Sequence, residues 1–345
     1  MLIAVMLLII FIIFVFNSYM HYGKKGRLIN LIPGPPGYPI VGNAFEILGS
    51  RKEQWDILIE LTNRYHPIYK LWASYYPVIM ISHPDDVETI LSNMKHLEKS
   101  KLYDFLRPWI GSGLATSKAV KWYSQRKTLT PTFHFNILQQ FVDVFVQEGE
   151  NMTKILKNSK DTVVNDVLSF VSEYTLNAIC ETAMGTSLRN NGSFQQQYRE
   201  AIFRITEIIT YSDVRGAYQM NTLKPFAPLE TYLVPVGTIL QINIYGVNRN
   251  PNFWPNPEVF HPNRFLPEKN RNRHPYSYIT FSAGPRNCIG QRFAMLEMKT
   301  MIASLVHNFY LEPVDYLKNL PLQLGLILRL SHPLRIKFVP LKGER

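Results

Sequence analysis

The first sixteen positions, Met1 to Phe16, carry no charged or strongly polar side chain, and Asn17 to Met20 extend the run to the roughly 20 residues that span a bilayer. The pattern predicts a membrane helix over residues 1–20. No basic segment precedes it and no small-residue cleavage site follows it, which argues against a cleaved signal peptide. Lys24, Lys25 and Arg27 come directly afterwards, so the positive-inside tendency places the rest of the chain in the cytosol. Residues 21–39 turn basic and then rich in proline and glycine (Pro33-Gly-Pro-Pro-Gly-Tyr-Pro39), which predicts a stiff, extended linker. Further on, Ile68–Trp72 and Val78–Ser82 flank Tyr75-Tyr-Pro77 and read as a hairpin. His83-Pro-Asp-Asp-Val87 opens a helix with its acids at the positive end. From Phe135 to Glu181 the apolar spacing is mostly helical, with Phe141, Val144 and Phe145 on one face and Val167, Phe170, Val171 and Tyr174 on another; these stripes are core. Tyr232–Val236 and Thr238–Ile244, split by Gly237, give a second strand region, and the helix after Cys288 continues through Val306. The predicted class is mainly α with small β-sheets, and residues 40–345 form the globular body.

Composition narrows the possibilities. With 46% hydrophobic and 13% aromatic residues the chain is not disordered. A net charge of +11 suits an anionic membrane surface or an acidic protein partner; with no basic repeat or nucleic-acid motif, nucleic acid ranks last. Two cysteines give no disulfide framework, which agrees with a reducing, cytosol-facing compartment.

The candidate chemistry lies in Phe281-Ser-Ala-Gly-Pro-Arg-Asn-Cys288-Ile-Gly290. Gly284 and Gly290 allow tight turns and close approach to a flat group, where a Cβ would collide. Arg286 and the amides of the following helix favour a thiolate at Cys288, the form that binds metal. Phe281 is expected to shield that sulfur from water. The bland alternative is that Cys288 is a small buried hydrophobe, as most free cysteines are. Cys180 is the other cysteine and no Cys/His set stands at zinc spacing, so a single sulfur on a haem iron fits better than a zinc site.

The pattern Phe281-x-x-Gly284-x-Arg286-x-Cys288-x-Gly290 resembles the haem-binding loop of the cytochrome P450 superfamily. Trp122-Tyr-Ser-Gln-Arg126 resembles its W-x-x-x-R helix, and Phe260-His-Pro-Asn-Arg264-Phe265 its aromatic-Pro-Arg-Phe segment. Leu129–Phe135 and Ile179–Gly185 look like segments of family-4 members, particularly insect-type ones. The resemblance covers about residues 1–211 and 230–345. It implies the cytochrome P450 fold behind a single-pass anchor in the endoplasmic reticulum membrane, and haem b with Cys288 as axial ligand. Trp122, Arg126 and Arg286 would neutralise the two propionates, arginine's planar fork being suited to carboxylates. The implied reaction inserts one oxygen atom from O2 into a lipophilic substrate, fatty acid-like, steroid-like or xenobiotic. Electrons would come from NADPH through NADPH-cytochrome reductase, with cytochrome b5 as a further partner.

The chain also departs from that pattern. The long distal helix that crosses the haem, and the later Glu-x-x-Arg helix, have no counterpart, because too few residues lie between Tyr211 and Glu230. Glu268-Lys-Asn-Arg271 has the right letters in the wrong order along the chain. Arg264 is therefore expected to lack its usual ion-pair partners, at a cost of roughly 3 to 5 kcal/mol. Residues 211–230 read as the junction of an internal deletion, which makes a truncated, inactive isoform the alternative reading.

Overall fold

The computed structural model describes residues 1–159, 162–188, 192–212, 219–222, 227–229, 232–316, 320–325 and 327–341. Its main helices are α1 (Leu2–Tyr22), α2 (Lys24–Asn30), α3 (Arg51–Tyr65), α4 (Pro84–Leu91), α5 (Ala119–Leu129), α6 (Val142–Asn158), α7 (Val167–Ala183), α8 (Gly192–Ser212) and α9 (Gln291–Asn308). The strands are β1 (Ile68–Ala73), β2 (Tyr76–Ile81), β3 (Val163–Val164), β4 (Gln219–Thr222), β5 (Ala227–Pro228), β6 (Leu233–Val234), β7 (Ile239–Ile242), β8 (Phe309–Pro313), β9 (Leu322–Gln323), β10 (Arg329–Leu330) and β11 (Ile336–Pro340). The class is thus mainly α with small sheets, as the sequence predicts. Contacts divide it into two units, one of residues 1–122 and 213–288, the other of residues 123–212 and 289–345. Most of the stretch read as a deletion junction, 213–218, 223–226 and 230, lies outside the described residues.

In the first unit, α1 is long and apolar enough to cross a membrane, and its side chains from Leu2 to Phe16 are exposed. At 1.5 Å per residue it is about 30 Å long, the thickness of a hydrocarbon core. Residues 21–39 are not extended throughout: α2 lies within them, and Ile29 and Ile32 are buried in the core of this unit. The predicted hairpin forms as β1 and β2, with Ile68 opposite Ile81. Gly237, at φ +88°, turns the chain into β7, which runs parallel to β2 with Val78 opposite Ile239. The resulting sheet has the order β1-β2-β7-β4. Because side chains alternate across a strand, Ile79, Ile81, Leu240 and Ile242 share one face, where they meet Val87, Ile90 and Leu91 of α4. Helix α4 starts where its sequence dictates: His83 caps it by accepting from the Asp85 N–H, and Pro84 occupies the first turn.

The second unit is built on α6, α7 and α9 with the β3-β11-β8 sheet. Phe141, Phe145, Val167, Phe170, Val171 and Tyr174 join its core, so the two predicted apolar stripes meet each other, while Val144, predicted with them, is half-buried outside that cluster. Phe145 is fully buried and stands edge-on to Phe293 at 5.1 Å. Helices α6 and α9 approach closely at Gly149, where a Cβ would lie 2.5 Å from Ser304 Oγ.

Glu297 on α9 sits in this unit with Oε1 buried and without a partner among the described residues, and burial pushes its carboxyl up to about 7. A carboxyl whose folded pKa exceeds its unfolded one holds its proton longer in the native state. Its contribution to stability is fully present below about 4.5 and is lost as pH rises through about 7. Glu297→Gln is therefore expected to raise stability at pH 8 by about 2 kcal/mol, discounted for partial exposure, and to leave it nearly unchanged at pH 4. Urea midpoints at the two pH values check this; a gain of equal size at both would refute it.

Candidate functional site

The loop that ends in Cys288 is tied down from several directions within the first unit. Trp254 Nε1 donates to Ser277 O at 2.7 Å, and the Ile279 N–H donates to Asn248 Oδ1 at 2.8 Å. His274, just upstream, lies 2.9 Å from Asp85 and 3.3 Å from Glu88 of α4. The loop then folds on itself: Ser282 takes φ +60° and Gly284 φ +70°, the Asn287 N–H donates to Gly284 O at 3.1 Å, and the Cys288 N–H donates to Phe281 O at 2.9 Å. Gly284 is a position that geometry reserves for glycine. A Cβ there would lie 1.9 Å from the Leu91 carbonyl oxygen at the end of α4. The core packing of α4 therefore sets the height of the loop.

Cys288 is a free, exposed thiol, which removes the reading that it is a buried hydrophobe; Cys180 fits that description, being 2% exposed with burial raising its pKa. Phe281 is half-buried and gives the turn its carbonyl, but it leaves Cys288 exposed instead of shielding it. Gly290 does not need positive φ: at φ −87° it is the N-cap of α9, its carbonyl accepting from the Ala294 N–H at 2.9 Å.

Arg286 carries the strongest signal. Its Nη2 donates to Ser117 O at 2.9 Å, and its guanidinium lies 4.7 Å from the Trp122 ring centroid. Its Nε and Nη1 are buried and have no acceptor among the described residues. Burial, opposed by Glu98 and Tyr103, draws its pKa down to about 10. Trp122 is 4% exposed, and no acceptor among the described residues meets its indole N–H. Orphaned charged donors beside an indole N–H are what a carboxylate-bearing group would satisfy, so these residues fit a haem edge. Arg126 follows Trp122 by one turn on α5 and belongs to the second unit.

Arg264 corrects the expectation of an unpaired charge. Its guanidinium donates to the carbonyls of His261, Pro255, Asn256 and Val259 at 2.9–3.2 Å, so backbone replaces the missing acid. Arg273 stacks 3.9 Å from the Trp254 ring centroid and donates to Arg264 O, and Trp254, Phe265 and Tyr278 cluster beside them. Asn248 and Trp254, which hold the loop, escaped the sequence reading. Their signal was present in Asn-Arg-Asn-Pro-Asn-Phe-Trp254, a polar turn that only the fold connects to the cysteine.

An exposed cysteine on a glycine-turned loop that also carries the unspent donors of Arg286 is an arrangement that suits the edge of a haem. The chain belongs to the cytochrome P450 family, whose profile matches residues 32–230 and 221–338. The family's members are monooxygenases that use haem b, and this chain is an enzyme of that kind by family. Among curated proteins it is similar to human cytochrome P450 4V2, at 26% identity over 92% of this chain and 91% of that one. Similar matches are cytochrome P450 4c21 of Blattella germanica (25%, covering 89% and 93%) and cytochrome P450 4c3 of Drosophila melanogaster (26%, covering 92% and 91%). The alignment with the human protein runs to 477 positions, 132 more than the 345 residues of this chain.

Proposed function

We propose that this chain is a membrane-anchored haem-thiolate monooxygenase of lipophilic, fatty acid-like substrates, with Cys288 as the iron ligand. Arg286, Trp122 and Arg126 hold the haem carboxylates, Gly284 and Gly290 shape the loop, and Phe281 closes it. The observation that carries this reading is the Arg286 guanidinium, fixed by Ser117 and Trp122 with two buried donors still unspent. When bound, a thiolate-ligated haem supplies the oxidising power to hydroxylate unactivated carbon. The chain's own residues supply a soft ligand at Cys288 Sγ, a loop locked by backbone hydrogen bonds, and cations that offset the propionate charge. NADPH-cytochrome reductase, with cytochrome b5 as a second donor, delivers the electrons. The test is the carbon-monoxide difference spectrum of the reduced, detergent-purified chain, followed by fatty-acid turnover with reductase and NADPH. A strongly red-shifted Soret band and product formation support the reading; full haem loading without turnover of any lipid overturns it.

Helix α1 would hold the body on the cytosolic face of the endoplasmic reticulum membrane. Deleting residues 1–22 is expected to move the protein from the membrane pellet to the high-speed supernatant, as a segment of this apolarity dominates partitioning. Retention in the pellet would contradict a single anchor.

A second reading is favoured by the short connection at 211–230 together with the length of the relatives' alignments. In it the chain is an internally shortened isoform lacking the distal helix, inactive, and at most a competitor for reductase. Haem uptake with the red-shifted band but no turnover is its signature.

A further inference from the structure

Between α3 and the β1-β2-β7 sheet the packing leaves a cavity of about 220 Å3, enclosed by Leu58 of α3, by Leu71, Val78 and Gln241 of the strands, and by Ala44 and Leu48. A void of roughly 150 Å3 already holds a benzene ring. Side chains alternate across a strand, so Ile79, Leu240 and Ile242 point the other way, toward α4, on whose end the cysteine loop rests through Gly284. The sheet thus separates this cavity from the cysteine loop. No charged side chain among the described residues lines it, but three amides do. Asn43 is committed, its Oδ1 accepting from the Trp72 N–H at 2.7 Å and its Nδ2 donating to Pro36 O at 3.2 Å. Gln54 donates to Gly49 O at 3.2 Å. Gln241 is 3% exposed, and its side-chain amide has no hydrogen-bond partner among the described residues. A buried amide left open is unfavourable, and a ligand that supplies its partner removes that cost. Ala44 and Leu48 are exposed, so the cavity opens beside them; Phe45 between them stands edge-on to Tyr38 at 5.9 Å, and both rings are more than half exposed. The end of α1 is fixed along the same edge, where Asn17 Oδ1 accepts from the Ile40 N–H at 3.1 Å and Phe16 meets Tyr75 at 5.3 Å.

We propose that this cavity is a lipid site, which takes from the bilayer one aliphatic chain bearing a single uncharged hydrogen-bonding group, a fatty alcohol, held by Gln241. It rests on α1 as the membrane anchor. An amide both donates and accepts, as a hydroxyl does. An ionised carboxylate does not fit, because no cation lines the cavity to pair with it. In the experiment the full-length chain, reconstituted in phosphatidylcholine vesicles, is irradiated with decan-1-ol carrying a chain diazirine, and mass spectrometry maps the labelled residues. Label on α1 is the standard for membrane loading. Leu58, Leu71 or Val78 should take label that saturates and that unlabelled decan-1-ol displaces, while decanoate at pH 8 and equal membrane loading is at least about tenfold less effective. Gln241→Leu should lower that label about twofold to tenfold, the range of one hydrogen bond. Its urea midpoint should not fall, because the substitution removes an unpaired buried amide. Ala44→Trp, which covers the exposed mouth, should abolish the cavity label and leave that on α1. Label that does not saturate, equal displacement by decanoate, full labelling of Gln241→Leu, or a lower midpoint for that variant overturns the site and leaves the anchor standing. A chain unlabelled even on α1 overturns the anchor and the site with it.

Discussion

Cys288→Ser is expected to abolish the red-shifted Soret band of the reduced, carbon-monoxide-treated protein, and with it all lipid turnover. Ligand chemistry and the supply of thiols both set this effect. Serine matches cysteine in shape but offers a hard oxygen that stays protonated, whereas a thiolate is the soft donor that haem-thiolate iron requires. No second thiol is at hand, because the other cysteine, Cys180, is buried in the core of the other unit. The thiol is exposed, so the replacement should change folding stability by no more than about 0.5 kcal/mol. An unchanged urea midpoint beside a lost band assigns the effect to ligation. A retained band would remove Cys288 from the iron and leave the function without its centre.

The second large effect is expected at Gly284. Alanine there meets two costs at once. A residue with a Cβ at φ +70° is strained by about 1 to 2 kcal/mol. The Cβ would also stand 1.9 Å from the Leu91 carbonyl oxygen, backbone that is held by the end of α4. Neither the helix nor the loop can yield without moving Arg286 and Cys288, so the loss should be at least about 3 kcal/mol and haem affinity should fall with it. Gly237→Ala is the control. Gly237 has φ +88° but nothing within 4 Å of the added Cβ, so it carries the backbone strain alone. If the two substitutions shift the urea midpoint equally, the contact with Leu91 contributes nothing and the account of the loop is wrong.

Much of the fold was readable because its signals are local. The apolar run of α1, the β1–β2 hairpin around Tyr75-Tyr-Pro77, the capped start of α4 and the periodicity of α6, α7 and α9 each sit within a short window, where side-chain spacing and turn chemistry decide the outcome. The cysteine loop was legible for a similar reason: its glycines, arginine and cysteine fall within ten residues. The helix inside residues 21–39 was missed because the proline and glycine content nearby drew the reading toward an extended linker. Its basic residues carry no apolar period, and Ile29 and Ile32 are buried by a tertiary contact.

Arg264 shows the limit from the other side. Sequence order told that its acidic partner was missing, but a guanidinium can also be satisfied by carbonyls, and which carbonyls converge on it depends on how residues 255–261 turn. By itself the sequence determined the class of fold, the apolar N-terminal helix and the chemistry offered by Cys288 and Arg286. Only the tertiary structure decided that Leu91 backs Gly284 and that Asn248 and Trp254 brace the loop. The physical reason is range. Hydropathy, capping and turn preferences act over a few residues, whereas these contacts join positions up to 193 apart, and nothing in either local segment records its partner.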